Sequence, residues 1–359
     1  MAGPYRILIL GASYGSLVAT KVLLAGHHVQ FVCTAAEAEL INREGTRVRL
    51  PLPGGNEVVE VDSRRLPGKL SAAVPTATDP GGFDLAVLAM QEPQYRAPEI
   101  RNLLSALAKA NLPCMSVMNM PPLPYLARIP SLDPGSLRHC YADPSVWDPI
   151  DPALVTLCSP DAQAFRPPEE KANVLQVGLP TNFRAARFES DRHTAILRQL
   201  QTDIEAARYD TAGSAIDVPV KLKVHDSVFV PLAKWCMLIT GNYRCVQPDS
   251  VRSIREAVHA DLERSRAIYE WMSELCRAIG ARATDQVPFE KYARAAEGLG
   301  KPSSAARALA AGAANIERVD MLVQTIAAQQ RMHSPALDEI VALVDAWLAH
   351  NRATQAAKA

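Results

Sequence analysis

The sequence predicts an α/β fold in which a domain of alternating strands and helices is followed by an all-α domain. Three observations predict it. Short apolar runs alternate with amphipathic stretches over the N-terminal third, the pattern of a parallel sheet with crossover helices. The first of these runs, ILIL, leads straight into a glycine-containing turn. From about Val218 onward, apolar residues recur almost entirely at helical spacing. A chain of 359 residues also exceeds what one core usually supports, so two domains are expected.

In order along the chain, YRILILG reads as a strand, and residues 16–25 as a helix that Gly26 ends. HVQFVC is a second strand, and AAEAELINREG a second helix closed by Gly45. FDLAVLAM is a buried strand. Residues 98–110 form a helix with proline in its first turn, where no amide is needed, and CMSVMNM is another strand. Residues 121–164 are rich in proline and aspartate and read mostly as an enlarged connecting loop, with ALVTLC returning to the sheet. NVLQVGL and RAARFE read as an antiparallel pair, and 192–208 as a helix. The helical domain then offers candidates at 225–241, 248–279, 288–299, 303–311, 316–331 and 335–351. The expected domains are 1–217 and 218–351, with 352–359 a fraying tail.

Composition narrows the function classes. The 38 basic and 38 acidic side chains balance, without long runs of one sign, which argues against a nucleic-acid or anionic-membrane partner. No apolar run approaches the roughly 20 residues that span a bilayer, and residues 1–6 are too short and polar to lead a signal peptide. A cytoplasmic protein is expected. The seven cysteines are scattered without a C-x-x-C pair, so they read as buried thiols rather than zinc ligands or disulfides. No metal site is expected.

Several residues sit where chemistry is done. GASYGS, Gly11–Ser16, occupies the place of a G-x-G-x-x-G fingerprint. Such a turn leaves amides free at a helix N-terminus to hold phosphate. Read without a gap, Ser13 and Ser16 replace the second and third glycines; with a one-residue deletion, Gly15 is the helix-packing glycine. Ala12 and Tyr14 complete the turn. Cys33 and Thr34 end the second strand, where an acid would favour NAD and an arginine NADP. Asn119 follows a strand, at the edge where ligands of parallel sheets bind, though an asparagine also forms turns. Lys234 interrupts an apolar helix and is either snorkelling to water or a proton donor. Asn242 lies eight residues on, at an azimuth about 80° away on a regular helix. Ser303 and Ser304 read as helix caps, and Glu317 as a helix-start acid or a partner of Lys234.

Together these pieces resemble the ketopantoate reductase family over most of the chain. The resemblance rests on the glycine turn, on GHHV at 26–29, on Asn119 in VMNM, on PLAKWCMLITGN, and on SSAARALAAGAANIERVD. It implies a Rossmann-type dinucleotide-binding domain followed by a helical domain like the C-terminal domain of 6-phosphogluconate dehydrogenase. It also implies NADP as cofactor, with NAD the alternative, and a 2-oxo acid or related carbonyl substrate of the kind reduced in pantothenate biosynthesis. Lys234 then takes the place of the catalytic acid and Glu317 that of the carboxylate positioning it. Asn119, Asn242 and Ser304 take the places of substrate ligands. Gly11, Ala12, Ser13, Tyr14, Gly15, Ser16, Thr34 and Gln91 take those of cofactor ligands.

The sequence departs from the family pattern at three polar contacts. Leu238 replaces the first asparagine of the helix motif, Gln91 a lysine, and Thr34 an arginine. A more apolar pocket points to a substrate less polar than ketopantoate. Two further readings stand beside the reductase. One is an opine-type dehydrogenase acting on a carbon–nitrogen bond, which would need a catalytic histidine from among His225, His259 and His333. The other is a non-catalytic nucleotide sensor. The apolar faces of the C-terminal helices could pack within one chain or across a homodimer.

Overall fold

The computed structural model describes residues 3–52, 57–211 and 213–357. The chain gathers into two compact units. The first comprises residues 1–90, 94–125 and 145–226; the second comprises 91–93, 126–144 and 227–359. The proline- and aspartate-rich stretch is thus divided, and its middle part belongs with the helices.

The first unit is built on an eight-stranded sheet. Its order is Leu222–His225, Phe183–Ala186, Val155–Ser159, Cys114–Val117, Leu85–Leu88, Arg6–Leu10, His28–Val32, Leu70–Ala73. The last six are mutually parallel, and the first two run against them. Numbered along the chain, the six parallel strands follow the doubly wound order 3-2-1-4-5-6. Ile7, Leu8, Ile9 and Leu10 have no exposure. A central parallel strand is covered on both faces, so an unbroken apolar run is what it requires. The helices Gly15–Leu24, Ala35–Glu44 and Pro98–Lys109 fall where the sequence places them. Thr34 caps the second: its hydroxyl accepts from the Glu37 amide while Glu37 returns to the Thr34 amide, a capping box.

Three expectations are corrected. NVLQVGL and RAARFE are strands, Val174–Leu179 and Phe183–Ala186, but they do not pair with each other. Val174–Leu179 joins a separate four-stranded sheet with Arg47–Pro51, Val58–Asp62 and Gln163–Phe165. Neither the first nor the second of those partners carries a helix or turn signal that the reading above used. The helix expected from residue 225 starts later, because Leu222–His225 is an edge strand registered on Phe183–Ala186. A short 3-10 turn, Pro231–Ala233, leads instead into Lys234–Met237. The helix expected over 248–279 is two helices, Ile254–His259 and Leu262–Ala278. Ser253 caps the first in a capping box with Glu256, and Asp261 caps the second.

The second unit continues with Phe289–Ala296, Ser304–Ala310, Val319–Gln329 and Pro335–Ala356. The last helix runs past Asn351 into the segment expected to fray; residues 358–359 lie outside the described residues. Its final turns are tied down. Asn351 Nδ2 donates to the carbonyls of Leu309 and Ala313, Arg352 Nε to Ala314 and Gln355 Nε2 to Gly312. Residues 126–144 are fastened to this unit by Gln329, whose Oε1 accepts from the Asp133 amide at 2.9 Å. Ser131 adds a second tie, its hydroxyl donating to the Ile279 carbonyl at 2.9 Å. Among the described residues no helix is long and apolar enough to cross a membrane, and no group of three or more His, Cys, Asp or Glu residues could hold a metal ion.

Candidate active site

In the first unit, candidate residues collect at the carboxyl edge of the parallel strands, where ligands of such sheets bind. Gly11 has φ +100°, a left-handed conformation, and a Cβ there would meet Met90 Cγ at 2.7 Å and the Ala89 carbonyl oxygen at 2.8 Å. Only glycine fits this turn. Gly15 opens the helix, and a Cβ on it would come within 2.8 Å of Ile9 Cγ2. Gly15 therefore allows the helix to lie against the first strand, as the shortened reading of the motif expects. Among the described residues no acceptor takes the amides of Ala12, Ser13, Tyr14 or Gly15. Free amides on a tight turn leading into a helix N-terminus fit a dinucleotide pyrophosphate.

The side chains of this turn have different fates. Ser13 is exposed and keeps its hydroxyl available. The Ser16 hydroxyl turns inward and donates to the Ala12 carbonyl, which locks the turn instead of facing a ligand. The Tyr14 hydroxyl donates to the Ala162 carbonyl at 2.9 Å, and its ring meets Phe183 edge-on. Burial, with Asp161 nearby, pushes that phenol far above its ordinary range, so it stays a donor. Thr34 follows the second strand and Asn119, half-buried, follows Cys114–Val117. Gln91 belongs to the second unit.

Two residues at the end of the second strand escaped the sequence reading. Glu37 Oε2 accepts from the Thr34 hydroxyl at 2.9 Å, and its other oxygen pairs with Arg166 Nη1 at 2.7 Å. Burial opposes ionisation of Glu37, but the hydrogen bonds from Arg166 and Thr34 prevail and hold its carboxyl below the ordinary value. The T-x-x-E spacing could have announced Glu37. Nothing announces Arg166, which arrives from 129 positions further along the chain.

In the second unit, Lys234 opens the short helix Lys234–Met237 and is 8% exposed. The next turn, Leu238–Asn242, is a π-helix. A π turn encloses one more residue per hydrogen-bonded ring than an α turn, so each residue advances by a smaller angle. The offset of about 80° expected between Lys234 and Asn242 on a regular helix therefore narrows. Side chains hold this turn by its carbonyls. Tyr292 Oη donates to Met237 at 3.1 Å, Arg244 Nη1 to Thr240 at 3.2 Å, Cys245 Sγ to Gly241 at 3.4 Å and Ser303 Oγ to Asn242 at 2.7 Å. Gly241 is required here, since a Cβ would fall 2.0 Å from Tyr292 Oη.

The same turn reaches Glu317. Tyr243 Oη donates to the Glu317 carbonyl and accepts from the Val319 amide at 3.0 Å. Glu317 is 8% exposed, and its Oε1 accepts from the Glu92 amide at 3.4 Å. Glu92 is itself buried, its carboxyl oxygens accepting from the Ala142 amide at 3.1 and 3.2 Å. Arg318 anchors the segment by pairing with Asp320 at 3.0 Å and Asp345 at 2.7 Å. Consecutive residues 242 and 243 thus hold the 303 and 317 segments. Asn242 is half-buried, and among the described residues its side-chain amide has no partner. Ser303 both caps Ser304–Ala310 and bonds Asn242, whereas Ser304 is exposed. Of the three histidines considered, His225 lies in the first unit, His259 Nε2 bonds the Ala293 carbonyl at 3.0 Å, and exposed His333 pairs with Asp338 at 2.6 Å.

No protein-family model matches the chain, and no curated protein matches it significantly. Solved structures do match, over nearly the whole length. The 2-dehydropantoate 2-reductase from Methylococcus capsulatus aligns with a TM-score of 0.65 at 14% identity, covering 97% of each chain. A dimeric ketopantoate reductase from Staphylococcus aureus aligns at 0.61 and 11%, covering 96% of this chain and 99% of that one. A D-mandelate dehydrogenase solved with NADH and anilino(oxo)acetate aligns at 0.61 and 12%, covering 97% and 99%. A doubly wound first unit and a helical second unit, matched end to end, give this chain the two-domain fold of the ketopantoate reductases.

Proposed function

We propose that the chain is an NAD(P)H-dependent reductase of a 2-oxo acid or related carbonyl compound, with Lys234 as the general acid. The observation that carries this reading is the burial of Lys234 on an apolar helix followed by a π turn, within a fold matched end to end by reductases of this kind. A lysine held in apolar surroundings is costly unless its ammonium is paired or reaches water, and the partner proposed for it is Glu317. The nicotinamide, when bound, supplies the hydride. The amides of Ala12–Gly15 hold its pyrophosphate, with Gly11 giving the backbone room to approach. Lys234 Nζ gives its proton to the carbonyl oxygen, and its charge steadies the developing alkoxide, an effect commonly worth a few kcal/mol. Glu317 positions the ammonium. Asn119, Asn242 and Ser304 hold the substrate, and Leu238 makes one wall apolar.

NADP is the proposed coenzyme, with NAD the alternative. Arg166 brings the positive charge that a 2′-phosphate requires once Glu37, its partner at 2.7 Å, releases it, and Glu37 itself suits the ribose hydroxyls of NAD. Arg166→Ala is expected to raise KM for NADPH at least tenfold while leaving KM for NADH within about threefold; equal effects on both would remove Arg166 from the coenzyme site. We also propose that the enzyme acts in the cytoplasm as a homodimer. The test of function is the initial rate of NADPH and NADH oxidation with ketopantoate and a panel of bulkier, less polar 2-oxo acids. Turnover of ketopantoate would place the enzyme in pantothenate biosynthesis, and turnover of a bulkier acid alone would assign a different substrate. No turnover of any 2-oxo acid would contradict the reading.

A further inference from the structure

Behind the π turn the chain makes a tight reversal. The Arg252 amide donates to the Cys245 carbonyl at 2.9 Å and the Gln247 amide to Ser250 at 3.0 Å, while Val246 and Val251 form an antiparallel bridge. The reversal sets Arg252 beside Arg244, with Arg252 Nε donating to the Arg244 carbonyl at 3.0 Å. Arg244 is 9% exposed, and its guanidinium has two acceptors, both neutral: the Thr240 carbonyl at 3.2 Å and Ser265 Oγ at 2.7 Å. Among the described residues no carboxylate comes within 4.0 Å of either guanidinium.

The acids nearby are already engaged. Asp261 Oδ1 accepts from the Arg264 amide at 2.9 Å, Glu256 Oε2 from the Ser253 amide and hydroxyl at 2.8 and 2.7 Å, and Arg264 pairs with Glu339 at 2.5 Å. Burial, reinforced by the positive charges of Arg252 and Arg264 and partly opposed by Asp261, pushes Arg244 down to about 10. A buried guanidinium with no carboxylate in contact, next to a second cation, is an unbalanced arrangement that an anion would relieve. The Thr240 carbonyl offers only the partial charge of a helix end, about half a unit at most. Fixed guanidinium forks match a tetrahedral oxyanion in shape as well as charge.

We propose that Arg244 and Arg252 form a binding site for a small tetrahedral oxyanion, either free phosphate or the phosphate of an ester. The proposal does not depend on the reductase reading. The site stands directly behind the turn that carries Asn242, so occupancy braces that turn.

Thermal unfolding of the full chain in phosphate, against chloride at the same ionic strength, tests it. Phosphate at about ten times its dissociation constant is expected to raise the unfolding midpoint saturably by roughly 2 °C. Arg252→Gln, at a half-buried position, is expected to remove that rise while the variant still unfolds cooperatively in chloride. Glycerol 3-phosphate separates the two sources: saturation at lower concentration than phosphate assigns the site to an ester, and at higher concentration to the free ion. No rise with either compound, or an undiminished rise in Arg252→Gln, would overturn the proposal.

Discussion

Gly11 and Gly15 stand four residues apart and do different work. Gly11 supplies a left-handed backbone, and Gly15 lets a helix lie against Ile9. Gly15→Ala pushes a methyl group onto Ile9 of the first strand, which has no exposure and little room to yield. The expected cost is about 1–3 kcal/mol by urea denaturation, with coenzyme affinity reduced at least tenfold because the turn must shift. Unchanged stability and affinity would refute the packing argument. Much of this was legible: the glycine spacing allowed Gly15 its role, and Thr34 carried its capping signal with Glu37 three residues on. The Ser16 hydroxyl could not be read, because whether a serine faces a ligand or its own turn depends on a rotamer. Arg166 could not be read either, since a parallel strand's end receives partners from distant parts of the chain.

Among the elements, the π turn at Leu238–Asn242 governs the candidate acid, because it sets the angle between Lys234 and Asn242. Gly241 and Tyr292 interlock there. Gly241→Ala is expected to destabilise the protein by about 1–3 kcal/mol, and Tyr292→Phe by about 1 kcal/mol through loss of its bond to Met237. Because removing the Tyr292 hydroxyl clears space for the new methyl group, the double variant should lose less than the sum, by at least 0.5 kcal/mol in a double-mutant cycle. Strict additivity would mean that the two residues do not share the turn. Helical periodicity placed the apolar helix but not its π turn, whose carbonyls are held by donors from Tyr292, Arg244, Cys245 and Ser303. The break between Ile254–His259 and Leu262–Ala278 was legible in principle, since Ser253-x-x-Glu256 and Asp261 are capping signals inside one long periodic stretch.

For the molecule as a whole, the parallel sheet with crossover helices and the helical second half follow from sequence periodicity and the Rossmann-type topology only from the family resemblance, while the assignment of residues 126–144 to the helical unit follows from neither. Segments of loop composition carry no pattern that names their neighbours, and it is side-chain bonds such as those of Gln329, Ser131 and Thr325 that reveal the attachment. Lys21 is a second unread feature, buried in the first unit with Nζ donating to the Val218 and Pro219 carbonyls at 2.8 and 3.1 Å. Burial, and then Lys221, lower its pKa to about 7, against partial opposition from Asp217. The unfolded chain therefore binds this proton up to about pH 10.5 and the folded chain only to about 7, so stability rises with pH between those values. Urea midpoints measured from pH 7 to 9.5 should climb in the native protein and climb less in Lys21→Met; equal slopes would show that Lys21 keeps an ordinary proton affinity. The central claim, that a coenzyme-binding fold uses Lys234 as its acid, is tested most directly by Lys234→Ala assayed two ways. NADPH binding followed by fluorescence should stay within about threefold of the native protein, while coenzyme oxidation with the best 2-oxo acid should fall at least a hundredfold. Oxidation persisting within tenfold of the native rate would contradict the account.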